Sequence, residues 1–388
     1  MSATLGLDAA RAADPAGYSM SGTPPRFAVR PASREELSEA LRAAGADRLG
    51  VVPWGGGVAL SRESAPREFD VALDLRGLDA VVEYEPGDLT LTAECGCSID
   101  ALRERLAVNG QELPLEAAQS WGATLGGVLA ANASGPRRMA LGAPRDRILG
   151  AGFALASGAL VRSGGRVVKN VAGYATHRLL CGSRGGLAVI VEASLKLDPA
   201  PAARAAMVFD AEMARVMDER LWWSFSRMEP TVLTVLGRAV ADLHPVLAGS
   251  APCTVIVGFE GEGAHVENQC QRAREALGAP RHRVSDAPAL VLWQQIADFE
   301  ELHAARLSFS TGERSPAALI HVMDRGFGDR FVFHAASGRL HLFPAGADGG
   351  SIARRLAGHE FALIEARGVG DIEPDMAPPL ALTRMRAV

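Results

Sequence analysis

The sequence predicts an α+β chain of two folded units. Three observations carry that reading. Strand and helix patterns alternate through roughly the first half, a Pro-Ala break at residues 198–202 interrupts them, and the second half carries apolar strands with a hairpin signal at Ser337-Gly338. The expected divisions are an N-terminal lead-in over 1–25, a first domain over 26–201 and a second α+β domain over 202–388, an antiparallel sheet covered by helices.

The elements follow in order. Residues 27–30 read as a strand, and Ser33 with Glu36 three residues on is a capping box opening a helix. Residues 49–52 form a short apolar strand running into Pro53-Trp54-Gly55-Gly56-Gly57, and 71–75, 81–85 and 89–93 are further strands. A helix over 98–108 stops at Asn109-Gly110; 124–132 is a small-residue helix and 148–161 a strand pair. Then comes a Gly173-Tyr174 turn, a short helix, the loop Gly182-Ser183-Arg184-Gly185-Gly186 and a long strand of alternating apolar residues. Beyond the break, 207–209, 231–236 and 253–259 are strands, and helices are expected near 212–228, 263–277 and 289–304. Strands at 330–335 and 339–343 make the hairpin.

Composition narrows the function. The 388 residues are 48% hydrophobic and 22% charged with a net charge of −5, a balance that disfavours nucleic acid as partner. No apolar run reaches the roughly 18 residues a bilayer span needs, and the first residues lack the basic and apolar regions of an export signal. A cytoplasmic protein is expected, with membrane contact only through partners, and a lead-in rich in small residues and loosely ordered. The five cysteines include one close pair, Cys95-Gly96-Cys97, read as two small residues flanking a turn; no metal site is expected and iron–sulfur chemistry would belong to another chain.

Three patches could carry chemistry. Gly55-Gly56-Gly57 after a buried-type strand is either a tight turn or a loop whose amides approach a pyrophosphate. Ala123-Thr124-Leu125-Gly126-Gly127 opens a helix, where exposed N–H donors would favour an anion, or where small residues merely permit close packing. Residues 173–192 form the third. No G-x-G-x-x-G or P-loop pattern occurs, which disfavours nicotinamide and ATP sites.

These patches, in this order and spacing, resemble the FAD-binding domain of the vanillyl-alcohol oxidase/PCMH-type flavoproteins. The strings S-G-P-R-R at 134–138, P-R-D-R-I-L-G at 144–150 and K-N-V-A-G-Y at 169–174 are similar to the FAD-binding E subunits of bacterial glycolate oxidases. The resemblance covers about 26–201 well. It implies a two-part FAD-binding domain followed by an antiparallel-sheet cap or substrate domain. Gly55, Gly56, Gly57, Val58 and Ala59 would form the pyrophosphate loop. Ala123, Thr124, Gly126 and Gly127 would line the flavin and phosphate region, Ser134 and Gly135 would close that wall, and Val189 and Ile190 would present backbone groups to the flavin. Residues 58–61 hold no histidine for covalent attachment, so the FAD would be non-covalent.

The same resemblance implies an FAD-binding subunit of a glycolate oxidase-like complex, oxidising a small 2-hydroxy acid beside a catalytic flavoprotein subunit and an iron–sulfur subunit. The family's catalytic members carry H-x-G-D-G-N-x-H, which is absent here. His321, His334 and His341 gather in the second half; His334 and His341 flank the hairpin and either accept the substrate hydroxyl proton or are packed residues. Arg137, Arg138, Arg145 and Arg147 either bind a carboxylate or phosphate or sit in local ion pairs. Trp54 stands where the family has Arg, Val58 where it has Ser or Thr, and Ala175, Gly186, Ala188 and Val191 are further departures. They motivate an alternative, a non-catalytic scaffold subunit with a degenerate flavin site. A self-sufficient flavin dehydrogenase is a third reading.

Overall fold

The structure is a computed structural model that describes residues 12–20, 22–60, 66, 68–118, 122–166, 173–302, 306–311, 328–335, 337–343 and 361–367. Among these, residues up to Ser134 and Gly142–Ala200 form one unit, and Gly135–Leu141 joins the residues from Pro201 onward in a second.

The first unit begins with β1 (Phe27–Val29), α1 (Arg34–Ala46), β2 (Val51–Trp54) and β3 (Val71–Asp74). β3 lies between the other two strands and pairs in parallel with both. β2 starts two residues later than its apolar run suggests and includes Pro53, tolerated because β2 is an edge strand. Ser33 caps α1, its hydroxyl accepting from Glu36 N at 3.1 Å, while the Glu36 carboxylate accepts from Ala32 N at 2.8 Å. The capping box therefore closes one residue earlier than the motif specifies.

The second part of this unit contains β4 (Val81–Glu85), β5 (Thr90–Glu94), α2 (Ile99–Ala107), β6 (Gln111–Glu112) and α3 (Leu125–Ala131). After α4 (Arg138–Leu141), which clusters with the second unit, come α5 (Pro144–Arg147), β7 (Ile148–Ala154), β8 (Leu160–Gly164), α6 (Thr176–Leu180), β9 (Val189–Lys196) and β10 (Asp198–Pro199). The sheet order is β4-β5-β9-β7-β8, antiparallel throughout, and β6 pairs with β10. β9 is not half-solvated as its alternation implies. Ile190, Ala193 and Leu195 pack with α2 and α3, whereas Val189 and Val191 pack with α1. Its Glu192 is buried and neutralised by Arg34 and Arg162.

Within the stretch expected as a loose lead-in, the described residues include two that are packed. Tyr18 and Met20 are buried with Trp54, Phe69 and Ala72. The Tyr18 hydroxyl donates to Asp74 at 2.7 Å, and the same buried carboxylate accepts from Arg30 Nε at 2.6 Å and from Arg76 Nε at 3.0 Å. Nothing in residues 12–20 announces a partner about 55 positions away.

The second unit contains β11 (Ala203–Ala211), α7 (Met213–Val216), α8 (Glu219–Ser226), β12 (Val232–Gly237), α9 (Arg238–Ala241), β13 (Cys253–Gly261), α10 (Gly263–Leu277), β14 (His282–Ser285), α11 (Ala287–Leu302), β15 (Arg306–Thr311), β16 (Phe331–His334), β17 (Arg339–Leu342) and β18 (Phe361–Arg367). Its eight-stranded sheet runs β14-β11-β13-β12-β16-β17-β15-β18, every pairing antiparallel. Met207, Phe209, Val255 and Phe333 face α8 and α10; Ala206, Val208, Ile256 and Val332 face α11 with its Trp293. The expected helix over 212–228 is two helices: α7 ends at its C-cap Met217, and Asp218 caps the start of α8. Arg137, from the interleaved 135–141 stretch, is buried against Glu260 at 3.0 Å, shares that carboxylate with Arg204 and lies 5.8 Å over the Trp293 ring. Each buried side chain of this size contributes about 1.5–3 kcal/mol, so both faces of the sheet hold the unit together.

Candidate functional site

The glycine loop leaves β2 at the edge of the small parallel sheet. A Cβ on Gly55 would stand 2.2 Å from Thr124 Oγ1, and one on Gly56 would stand 1.4 Å from the Gly122 carbonyl oxygen. The first patch therefore lies directly on the second. The third patch joins the second through Gly182 N, which donates to Leu129 O at 3.1 Å, and Arg184 N, which donates to Ala130 O at 2.9 Å. It reaches the first through Gly185, whose Cβ would be 2.9 Å from Pro53 Cγ. Three segments far apart in sequence close a triangle.

Within it the groups differ in what they offer. Gly56 is exposed, and neither its amide nor that of Gly57 has a main-chain acceptor among the described residues. Gly57 has φ +78°, a left-handed turn that favours glycine. The start of α3 is different from the expectation of exposed donors. Leu125 N donates to Cys97 O at 2.9 Å, Gly126 N to Cys95 O at 2.8 Å, and Gly127 N to the capping Thr124 Oγ1 at 3.3 Å. Gly126 is required by packing, since its Cβ would meet Cys95 Cβ at 2.8 Å. The turn at Cys95–Cys97 consumes two of the donors that the first of the two readings of the A-T-L-G-G motif would hold out. Ala123 and Thr124 are buried beneath the glycine loop.

Val189 and Ile190 pair with Ala154 and Phe153 of β7, while β5 pairs with β9 only as far as Glu192. The other edge of their backbone has no strand beside it among the described residues. Ser134 ends a stretch of the first unit and Gly135 opens the piece of the second, so the two are not held in one unit. The sequence reading missed Ser183: its hydroxyl is buried without a hydrogen-bond partner among the described residues, in the Gly-Ser-Arg-Gly-Gly loop. A hydroxyl inside a glycine-rich turn is the signal that could have marked it.

Nearby titratable groups are quiet. Burial pushes the Cys97 and Cys181 thiols up to about 11, which makes both poor nucleophiles near neutral pH. Burial, and then Arg178, lowers the pKa of His177, whose Nδ1 lies 3.0 Å from Ser163 Oγ. Arg147 pairs with Asp198 at 2.9 Å and Arg137 with Glu260, so both take the ion-pair reading.

In the second unit His334 and His341 are brought together on β16 and β17. Both are buried, with ring centroids 5.7 Å apart, and Thr234 Oγ1 lies 2.9 Å from His334 Nδ1. His321 and the 169–172 part of the K-N-V-A-G-Y string lie outside the described residues. No group of three metal-ligating side chains occurs among the described residues, and no helix among them is long and apolar enough to cross a membrane.

What the triangle offers a nucleotide is the exposed Gly56, the Gly56 and Gly57 amides without a main-chain acceptor and the Ser183 hydroxyl without a partner among the described residues; the close approaches at Gly55 and Gly56 are packing of the loop against the second patch. Comparison with known proteins agrees. Residues 25–164 match the family model described as FAD binding domain. The chain is 32% identical over 190 residues to glycolate oxidase subunit GlcD of Bacillus subtilis, covering 47% of this chain and 40% of that protein. It is 38% identical over 153 residues to glycolate oxidase subunit GlcE of Escherichia coli, covering 39% and 43%. To a D-2-hydroxyglutarate dehydrogenase of Xanthomonas citri it is 33% identical over 181 residues, covering 46% and 38%. It thus spans about two fifths of the length of these relatives. The fold is that of p-cresol methylhydroxylase (TM-score 0.65, 16% identity, 89% of this chain and 82% of the other) and of alkyldihydroxyacetonephosphate synthase (TM-score 0.64, 17% identity, 86% and 74%).

Proposed function

From a chain that carries a PCMH-type FAD-binding domain and takes FAD as its cofactor, we propose a flavin-binding subunit of a glycolate oxidase-like complex that oxidises a small 2-hydroxy acid. The observation that carries this reading is the triangle of Gly55–Gly57, Gly122–Thr124 and Gly182–Gly185. FAD, when bound, supplies the hydride acceptor. The loop from Gly55 to Ala59 would hold the pyrophosphate through its amides, Ala123, Thr124 and Gly127 would back that loop, and Ser183 would supply a hydroxyl. Val189 and Ile190 would present main-chain groups to the ring, with Ser134 and Gly135 as a further wall. Retention would be non-covalent, residues 58–61 offering no histidine for attachment. In this reading the His334–His341 pair accepts the substrate hydroxyl proton on an imidazole nitrogen, with Thr234 orienting His334. Electrons pass to partner chains, a catalytic flavoprotein and an iron–sulfur subunit, and the complex is cytoplasmic or reaches a membrane through those partners.

The test is purification from native cells with flavin quantification. Absorbance near 450 nm released by denaturation, with partner chains that oxidise a 2-hydroxy acid, is expected. Protein that carries no flavin and takes up none on reconstitution would sink the reading and leave the scaffold alternative, which the internal use of the α3 amides favours. In a complex that turns over, His341→Asn should lower kcat by about 100-fold, the scale of one general base, with flavin content unchanged. Unchanged kcat removes the histidine pair from the mechanism.

A further inference from the structure

We propose that Trp54 is the positioning residue of the nucleotide loop: its indole holds Gly57 in the left-handed turn that leaves the Gly56 and Gly57 amides open to a pyrophosphate. This rests on the FAD reading above and adds to it a residue in whose place the family has Arg.

Trp54 ends β2 with 6% of its surface exposed. A Cβ on Gly57 would meet Trp54 Cζ2 and Nε1 at 3.2 Å and Cε2 at 3.3 Å, so the indole lies flush against the Gly57 Cα. Behind it, Phe69 stacks at 6.4 Å with the ring planes 5° apart, and Tyr18 meets it edge-on at 5.4 Å. Tyr18 is in turn hydrogen-bonded to Asp74, which is the β3 residue opposite Trp54 in the parallel ladder. The aromatic pile is thereby fixed to the sheet at two points. On its other side the loop meets Gly122 O and Thr124 Oγ1.

Three consecutive glycines would otherwise carry the largest backbone entropy of any tripeptide, all of it lost when a phosphate is clasped. A loop already held between an indole and a carbonyl loses less on binding, which is preorganisation. A guanidinium at position 54 would contribute charge; the indole contributes shape. Affinity for the dinucleotide should then follow the order of the loop.

The experiment compares Trp54→Phe with wild type. Phenylalanine keeps a ring stacked on Phe69 but lacks the indole atoms that touch Gly57. Expected are an FAD Kd raised roughly tenfold in titrations of the apoprotein, faster amide hydrogen exchange in the peptide containing Gly55–Val58, and little change in exchange across β7 and β9. A merely structural role would lower the melting temperature and leave the Kd of folded protein alone. Wild-type Kd together with wild-type loop exchange overturns the proposal. Should Trp54→Phe not fold, Phe69→Leu removes the ring behind the indole and must weaken FAD binding in the same direction; an unchanged Kd there overturns it equally. If wild type itself binds no FAD, the functional reading fails. If wild type binds and the variants bind as well, the role of Trp54 alone fails.

Discussion

Gly56→Ala is expected to strip the protein of flavin while leaving it folded. The added methyl would sit 1.4 Å from the Gly122 carbonyl oxygen, a main-chain atom that cannot rotate aside, so the loop must move away from the second patch. Overpacking of this kind costs about 1–3 kcal/mol, and displacing amides that bind a charged oxygen costs about 1.5–3 kcal/mol for each bond. Together they predict at least a 100-fold rise in FAD Kd, read by flavin fluorescence on titration of the apoprotein. Two neighbours calibrate the result. Gly127→Ala meets only Thr124 Oγ1, at 3.3 Å, and should weaken binding far less than Gly56→Ala. Gly126→Ala meets Cys95 at 2.8 Å and should lose stability before it loses affinity in the folded fraction. Stoichiometric FAD on purified Gly56→Ala protein would remove the loop from the binding site.

Asp74→Ala carries the largest expected loss of stability. The carboxylate is fully buried and accepts from Tyr18, Arg30 and Arg76, and its removal leaves two guanidiniums and a phenol without their acceptor. Arg30 and Arg76 still reach solvent, so the cost should be about 3 kcal/mol, the low end for breaking a buried pair. In thermal unfolding that is a drop of roughly 6–12 °C. Burial pushes the Asp74 carboxyl up, but hydrogen bonds from Arg76, Tyr18 and Arg30 outweigh it and hold the carboxyl below its ordinary value of 3.8. Its contribution is therefore complete above that value and is lost as pH falls below it toward the lower folded-state pKa. The variant should show a flatter loss of stability in acid than wild type. Parallel acid limbs would mean that Asp74 titrates no differently in the folded chain.

How much of this was legible beforehand depends on how local each cause is. The Ser33 cap, the Thr124 cap and the β16–β17 hairpin rest on neighbouring residues, and the chain forms them where its pattern says. Gly55–Gly57 could be read as a loop, but not the reason why Gly56 tolerates no methyl, because Gly122 is supplied by another part of the fold. The internal use of the α3 amides was hidden for the same cause: Cys95 and Cys97 lie about thirty residues upstream, and no spacing rule ties their carbonyls to Leu125 and Gly126. Burial of Tyr18 was hidden in a stretch whose composition looks unstructured, and the alternation of β9 concealed that α1 covers its second face. Ser183 was visible as a letter in a motif and became a candidate only when its hydroxyl was found buried without a partner.

The interleaving of residues 135–141 with the second unit has a consequence for how the chain is made. Arg137 emerges from the ribosome roughly 120 residues before Glu260, the carboxylate it pairs with, so at ordinary elongation rates it waits roughly 6–25 s for that carboxylate. Neither unit is a contiguous stretch of message. The second cannot be completed by whatever follows Pro201 alone, and a gene cut at that point would put Arg137 on one fragment and Glu260 and Trp293 on the other.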